Sequence, residues 1–174
     1  MRKICQLAFD DEDGIAVARV HSGELSKAEV MRSNEDVELP PDFSLKIGSG
    51  AAPDYLSTEL QLPILSERLV SALEPYSNGL QFVEVNVVGP PSTPLYFLMN
   101  CKNQIDCLDH EQSEFTYFKS GHLMTIKKWR FDYSLLPGDV FIFSIPQNLG
   151  VFFTEEAAFS LKGKGLSGIV FINR

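Results

Sequence analysis

Nothing in the 174 residues approaches the roughly 20 consecutive apolar positions that a membrane-spanning helix needs, so no transmembrane segment is expected. Arg2 and Lys3 precede only a short mixed stretch ending at Asp10, with no apolar run leading to a small-residue cleavage site. Export on a signal peptide is therefore not expected. Cysteine is scarce and odd in number. Cys5, Cys101 and Cys107 fit free thiols in a reducing compartment, and the cytoplasm is the expected location. The three histidines, His21, His110 and His122, do not pair at metal-ligand spacing. Cys101, Cys107 and His110 lack a fourth ligand nearby, which structural zinc requires. Nucleophile-elbow, zincin and P-loop patterns are also missing. Gly48-Ser49-Gly50 holds two glycines of a dinucleotide fingerprint, but without the third and without a strong apolar strand before it. No metal and no other cofactor is expected.

What is present is an ordinary folded composition, 44% hydrophobic and 22% charged, at a length that suits one domain. The charge is lopsided. Fifteen basic and twenty-three acidic side chains give a net −8, of which residues 1–60 carry −6. Such a field repels phosphate backbones, so nucleic acid is not an expected partner, and neither is a membrane. Acidity also keeps a small protein soluble with no partner at all.

Ile4–Phe9 and Ile15–Val20 read as strands joined by the acidic turn Asp10-Asp11-Glu12-Asp13-Gly14, a hairpin in local terms. Pro40-Pro41 forces an extended path, and Gly48–Pro53 reads as a loop. Ser66 is a good N-cap for a helix carrying Leu69, Ala72 and Leu73 on one face, stopped by Pro75. Leu80–Val88 alternates, with Val83, Val85 and Val87 on one face. Leu95–Met99 and Val140–Ile145 are apolar enough for strands covered on both faces. Apolar parity slips within His122–Phe131, which calls for a bulge at Lys127-Lys128. Thr154 caps a helix opening on Glu155 and Glu156, and Ile169–Ile172 is a last strand. The expected fold is α+β: a mixed, largely antiparallel sheet of about seven strands with two or three helices.

The chemistry-bearing residues are few. Four carboxylates crowd Asp106–Glu114, where a solvated loop competes with acid–base work. There, Asp109 is placed to accept from backbone N–H groups two or three residues on. The basic, aromatic run Lys127-Lys128-Trp129-Arg130 suits a charged strand edge that resists aggregation.

The order of segments is distinctive. Leu65-Ser66-Glu67-Arg68-Leu69 precedes Leu95–Asn100, then Ile105-Asp106-Cys107-Leu108-Asp109 with Ser113 after it. Ile126–Asp132, Val140–Phe143, Val151–Glu155 and Gly165–Phe171 follow. In this order the chain resembles the immunity protein eleven family of bacterial polymorphic toxin systems, over residues 54–174, with residues 1–50 as a variable N-terminal strand region of the same domain. It departs at Val85-Asn86-Val87, where a proline is expected before the valine, and at the extra Lys162-Gly163-Lys164. The resemblance implies a non-catalytic protein that binds a cognate protein toxin and blocks it. The net charge suits a basic toxin. Asp10, Asp11, Glu12 and Asp13 are first candidates for contact, with Glu35, Asp36 and Glu38. Asp106, Asp109, Glu111 and Glu114 come second. Two alternatives remain open at this stage. One is an enzyme working through carboxylates with His110 or His122. The other is a small-ligand-binding regulatory module with a pocket lined by Phe97, Trp129 and Phe141. Oligomeric state is not readable from the sequence.

Overall fold

Local signals account for the best-defined elements of the computed structural model, which describes residues 3–10, 14–25, 30, 34–146 and 150–174. Helix α1 (Glu67–Leu73) starts where the Ser66 hydroxyl accepts from the Leu69 N–H, and it buries Leu69, Ala72 and Leu73. Pro75 falls in a 3-10 turn, Glu74–Tyr76, that ends it. Helix α2 (Glu155–Lys162) starts on the Thr154 hydroxyl, with Glu155 and Glu156 at the positive end of its dipole.

Among the described residues, twelve strands form three sheets, not the single sheet of about seven. The first sheet contains β1 (Ile4–Phe9), β10 (Ile142–Ser144), β11 (Val151–Thr154) and β12 (Ile169–Asn173), in the order β10-β11-β1-β12 with every pair antiparallel. The second has six strands: β2 (Ala18–Ser22), β3 (Ser44–Ile47), β4 (Tyr55–Leu56), β5 (Ile64–Ser66), β6 (Leu80–Val88) and β7 (Tyr96–Cys101). Their order is β2-β3-β6-β7-β5-β4, and β3–β6 is its one parallel pair. The third is a hairpin of β8 (Glu114–Tyr117) and β9 (Leu123–Lys128). The α+β character holds. The extra strands are two to four residues long, too short for periodicity to reveal.

The expected hairpin between Ile4–Phe9 and Ile15–Val20 does not form. β1 lies between β11 and β12 in the first sheet, whereas β2 pairs with β3 in the second. Burial explains the separation. Ile4, Cys5 and Leu7 are buried, so β1 has apolar side chains to cover on both faces, and a central position does this better than a local hairpin. At Lys127 the expected bulge is present: Glu114 faces Lys128 while Phe115 faces Ile126. A second bulge skips Met124, leaving it exposed although it stands two residues from buried Ile126.

One core cluster joins the two large sheets through Leu7, Leu56, Leu98, Val151 and Phe153. A second, built on Phe143, Phe152, Phe131 and Ile145, seats the segment around Cys107-Leu108 and, through Ile126, the hairpin. Phe152 is its hub, with Trp129, Phe131 and Phe143 rings 5.5–5.8 Å away. No helix among the described residues is long and apolar enough to cross a membrane.

Candidate partner-binding surface

The loop before β8 is a plug with a charged rim. Cys107 and Leu108 are buried, while Asp106, His110 and Glu111 are exposed on either side. Its backbone is fixed from several directions. Ile105 N–H donates to the Ser144 carbonyl (2.9 Å), Asp109 N–H to the Arg130 carbonyl (2.8 Å) and Asp132 N–H to the Cys107 carbonyl (2.8 Å). Asp109 Oδ1 accepts from the Glu111 and Gln112 N–H groups at 3.0 and 2.9 Å, the turn its spacing predicts. Ser113 Oγ donates to the Arg130 carbonyl and accepts from its N–H. The remaining carboxylates point outward. Asp106 meets His110 Nε2 at 3.2 Å, and Glu114 meets Lys128 at 3.4 Å. Both contacts are exposed, so each contributes little to stability.

The Glu35–Glu38 segment is held by two strand residues. Val37 N–H donates to Gln81 Oε1 (2.7 Å), and Gln81 Nε2 donates back to the Val37 carbonyl (3.0 Å). Buried Asn100 donates to the Glu35 carbonyl at 2.8 Å. The three carboxylate-bearing residues are exposed. Asp36 takes Lys102 at 2.9 Å, and Glu38 stands with Glu84 beside a shallow groove floored by Val37, Phe43 and Phe82. Three residues of chain, four Cα steps, separate Lys102 from Asp106, at most ~14 Å when extended. Asp10 is half-buried, its N–H donating to the Gly168 carbonyl (3.1 Å). Asp11, Glu12 and Asp13 lie outside the described residues.

The cysteines singled out in the sequence are buried free thiols. Burial pushes the Cys101 thiol up to about 12 and the Cys107 thiol up to about 11, so both stay protonated near neutrality and are poor nucleophiles. Cys101, Cys107 and His110 do not converge, and no group of three metal-ligating side chains occurs among the described residues. The rings expected to line one pocket also lie apart. Trp129 stacks with Phe131, Phe141 meets Tyr76 edge-on at 5.3 Å, and Phe97 pairs with Leu65 and Glu84 in the middle of the second sheet. Trp129 packs on the second core cluster and Phe141 on the first, Phe97 belongs to neither, and none of the described clefts is lined by all three. A different cleft of about 220 Å³ lies between the sheets, lined by Leu7, Phe9, Tyr55, Thr58, Leu62 and Val151 among others. Its described lining holds no carboxylate and no imidazole.

Sequence reasoning missed Gln81 and Asn100, the groups that set the acidic segment in place. It also missed Asp54, a buried carboxylate in β4's approach that accepts from Ser66 Oγ, Ser167 N–H and Arg68. Nor did it single out the aromatic tip of the β8–β9 hairpin. A polar residue within a strand gives no local sign of a distant partner.

With this geometry in place, comparison with known proteins adds one positive finding. The sequence matches the immunity protein family (Imm11) over residues 7–171, which takes in most of the stretch before residue 54. No curated protein matches it.

Proposed function

The chain belongs to the immunity protein family (Imm11), and from that premise we propose that it binds a cognate bacterial toxin and neutralises it by stoichiometric occlusion. The toxin is a basic protein, of the kind deployed by polymorphic toxin systems. Family membership supplies the class of activity. The observation that carries the physical part is the presentation of charge. Seven carboxylates of a chain with net charge −8 lie on two segments whose backbones are tied by hydrogen bonds, so little entropy remains to be lost on docking. Exposed Glu35, Asp36, Glu38, Asp106 and Glu111 are the leading contacts, with Glu114 and Asp109 beside them and the sequence Asp10, Asp11, Glu12 and Asp13 as a further acidic element. Opposite potentials raise association from about 10⁵–10⁶ M⁻¹s⁻¹ toward 10⁸ M⁻¹s⁻¹ at low salt.

The reading is non-catalytic: the protein covers its target and breaks no bond. Protonated, buried thiols and solvent-exposed His110 and His122 support it. The test is co-expression with the toxin encoded beside this gene, followed by titration of the purified pair. Protection should saturate at one chain per toxin, and association should slow at least about tenfold between low and high salt. Protection that persists at strongly sub-stoichiometric doses would overturn occlusion.

A further inference from the structure

The β8–β9 hairpin combines two features. Residues 114–130 hold Lys119, Lys127, Lys128 and Arg130 against Glu114 alone, a net +3, so the remainder of the chain carries −11. Its tip also leaves large apolar side chains in solvent: Tyr117 is 57% exposed, Phe118 55% and Met124 55%. The turn is closed by Phe118 N–H to the His122 carbonyl and Gly121 N–H to the Phe118 carbonyl, both 2.9 Å. Gly121 has φ +84, and a side chain there would meet nothing within 4 Å, so the turn itself is open to solvent at that position. Phe159 on α2 is exposed as well, but as a single residue in a helix that opens on Glu155 and Glu156, and isolated apolar residues are normal on a surface.

The base of the hairpin is the opposite. His110 stacks on Phe115 at 5.5 Å, and Phe115 meets Tyr117 at 6.2 Å, an aromatic row leading from the acidic loop to the tip. The Asp109 and Ser113 bonds to Arg130 lock that loop to the chain just beyond β9, at the hairpin's base. A basic, aromatic finger thus rises from an acidic collar in a fixed arrangement.

We propose that the β8–β9 hairpin is the anchor of the toxin interface: Tyr117, Phe118 and Met124 enter an apolar cleft of the toxin that carries carboxylates, and the Asp106–Glu111 collar meets the basic surface around it. This rests on the immunity reading above. Charge complementarity selects the partner. Lys119 at the turn, Lys127 on β9 and Arg130 just beyond it are exposed cations outside the Glu114–Lys128 pair; Lys119 requires an anionic neighbour at the tip and Lys127 one along the strand, whereas the collar carboxylates require cationic ones. Tyr is among the side chains that most often dominate binding energy, and Phe and Met are enriched at interfaces.

The test compares wild-type protein with Tyr117→Ala/Phe118→Ala and Lys119→Glu/Lys127→Glu variants, using the toxin encoded beside this gene in a catalytically inactivated form. Unchanged melting temperatures establish that each variant folds. The aromatic variant should dissociate at least about 30-fold faster, and the charge-reversed variant should bind about tenfold more weakly. Wild-type-like binding by the aromatic variant overturns the hairpin as anchor but leaves occlusion standing. Absence of any complex with wild-type protein overturns both. A single-stranded oligonucleotide of about 20 nucleotides is a second probe, because lysines and aromatics also form stacking platforms. Its binding by wild type and loss in the aromatic variant would reassign the finger to nucleic acid and overturn the proposal.

Discussion

Asp54 offers the sharpest test of what holds the two large sheets in register. It is 6% exposed and lies just before β4. Its Oδ1 accepts from Ser66 Oγ at 2.7 Å, and its Oδ2 accepts from Ser167 N–H at 2.9 Å and Ser167 Oγ at 3.2 Å. Arg68 Nη1 reaches Oδ2 at 3.2 Å, but the Arg68 side chain is 59% exposed, so its Coulomb contribution is screened to at most about 1 kcal/mol. The weight therefore falls on three bonds to an ionised acceptor, each of the type that contributes about 1.5–3 kcal/mol. Asp54→Ala leaves the Ser66 and Ser167 donors unsatisfied at about 1–3 kcal/mol each, and the expected loss is about 3–5 kcal/mol. Arg68 Nη2 also donates to the Lys164 and Gly165 carbonyls at 2.8 and 3.1 Å, both exposed, so Arg68→Ala should cost about 1–2 kcal/mol, less than Asp54→Ala. Ser66 Oγ also accepts from Leu69 N–H, so the carboxylate orients the cap of α1. Asp54→Ala and Ser66→Ala should consequently be non-additive by about 1–2 kcal/mol. Urea unfolding of the two single variants, their double and Arg68→Ala reads all four values. The reasoning is refuted if Asp54→Ala costs under 1 kcal/mol, or if Arg68→Ala costs as much as Asp54→Ala.

Three further outcomes are expected. Gly168 sits at φ +71, where a Cβ would stand 2.6 Å from the Tyr55 carbonyl oxygen. Gly168→Ala should therefore destabilise by more than about 2 kcal/mol in the same unfolding assay. Asp109→Ala removes two bonds from an exposed turn and should cost about 0.5–1.5 kcal/mol, while Asp109→Asn keeps the acceptor and most of the stability; thermal melts separate them at about 2–4 °C per kcal/mol. The Cys101 thiol is raised from 9.0 to about 12 by burial, so its stabilising share is complete below pH 9 and is lost as pH climbs toward 12. Unfolding free energy should fall by about 1.4 kcal/mol per pH unit from this group across that window, and Cys101→Ala should flatten the slope.

Features legible in the sequence were those whose cause is local. Ser66 and Thr154 announce helices because a cap acts within three residues. Leu80–Val88 shows itself by alternation, and the bulge at Lys127 by the parity it must repair. Asp109 was readable as a turn for the same reason. What stayed hidden depends on contacts made far along the chain. Gln81 holds Val37 across 44 positions, and Asn100 holds Glu35 across 65. Neither residue differs locally from a solvent-facing polar position in a strand. β1 misled because an acidic Asp-rich turn satisfies hairpin chemistry whether or not the flanking strands pair. Its true neighbours, β11 and β12, lie at the other end of the sequence.

The same split between local and distant causes separates the two halves of the binding proposal. Long-range attraction depends on how many charges of one sign the toxin meets, so it follows from composition and survives the loss of any one carboxylate. Anchoring depends on which apolar side chains are held free of the core, and only the structure shows that Met124 is expelled by a bulge while Ile126, two residues on, is buried. Steering alters association rates and weakens with salt, whereas removal of an apolar anchor raises dissociation rates and is largely insensitive to salt. A toxin complex measured at two ionic strengths, with and without the hairpin aromatics, therefore assigns each half of the interface its own kinetic signature. If the hairpin substitutions changed only the salt-sensitive association rate, the finger would be part of the field and not the anchor.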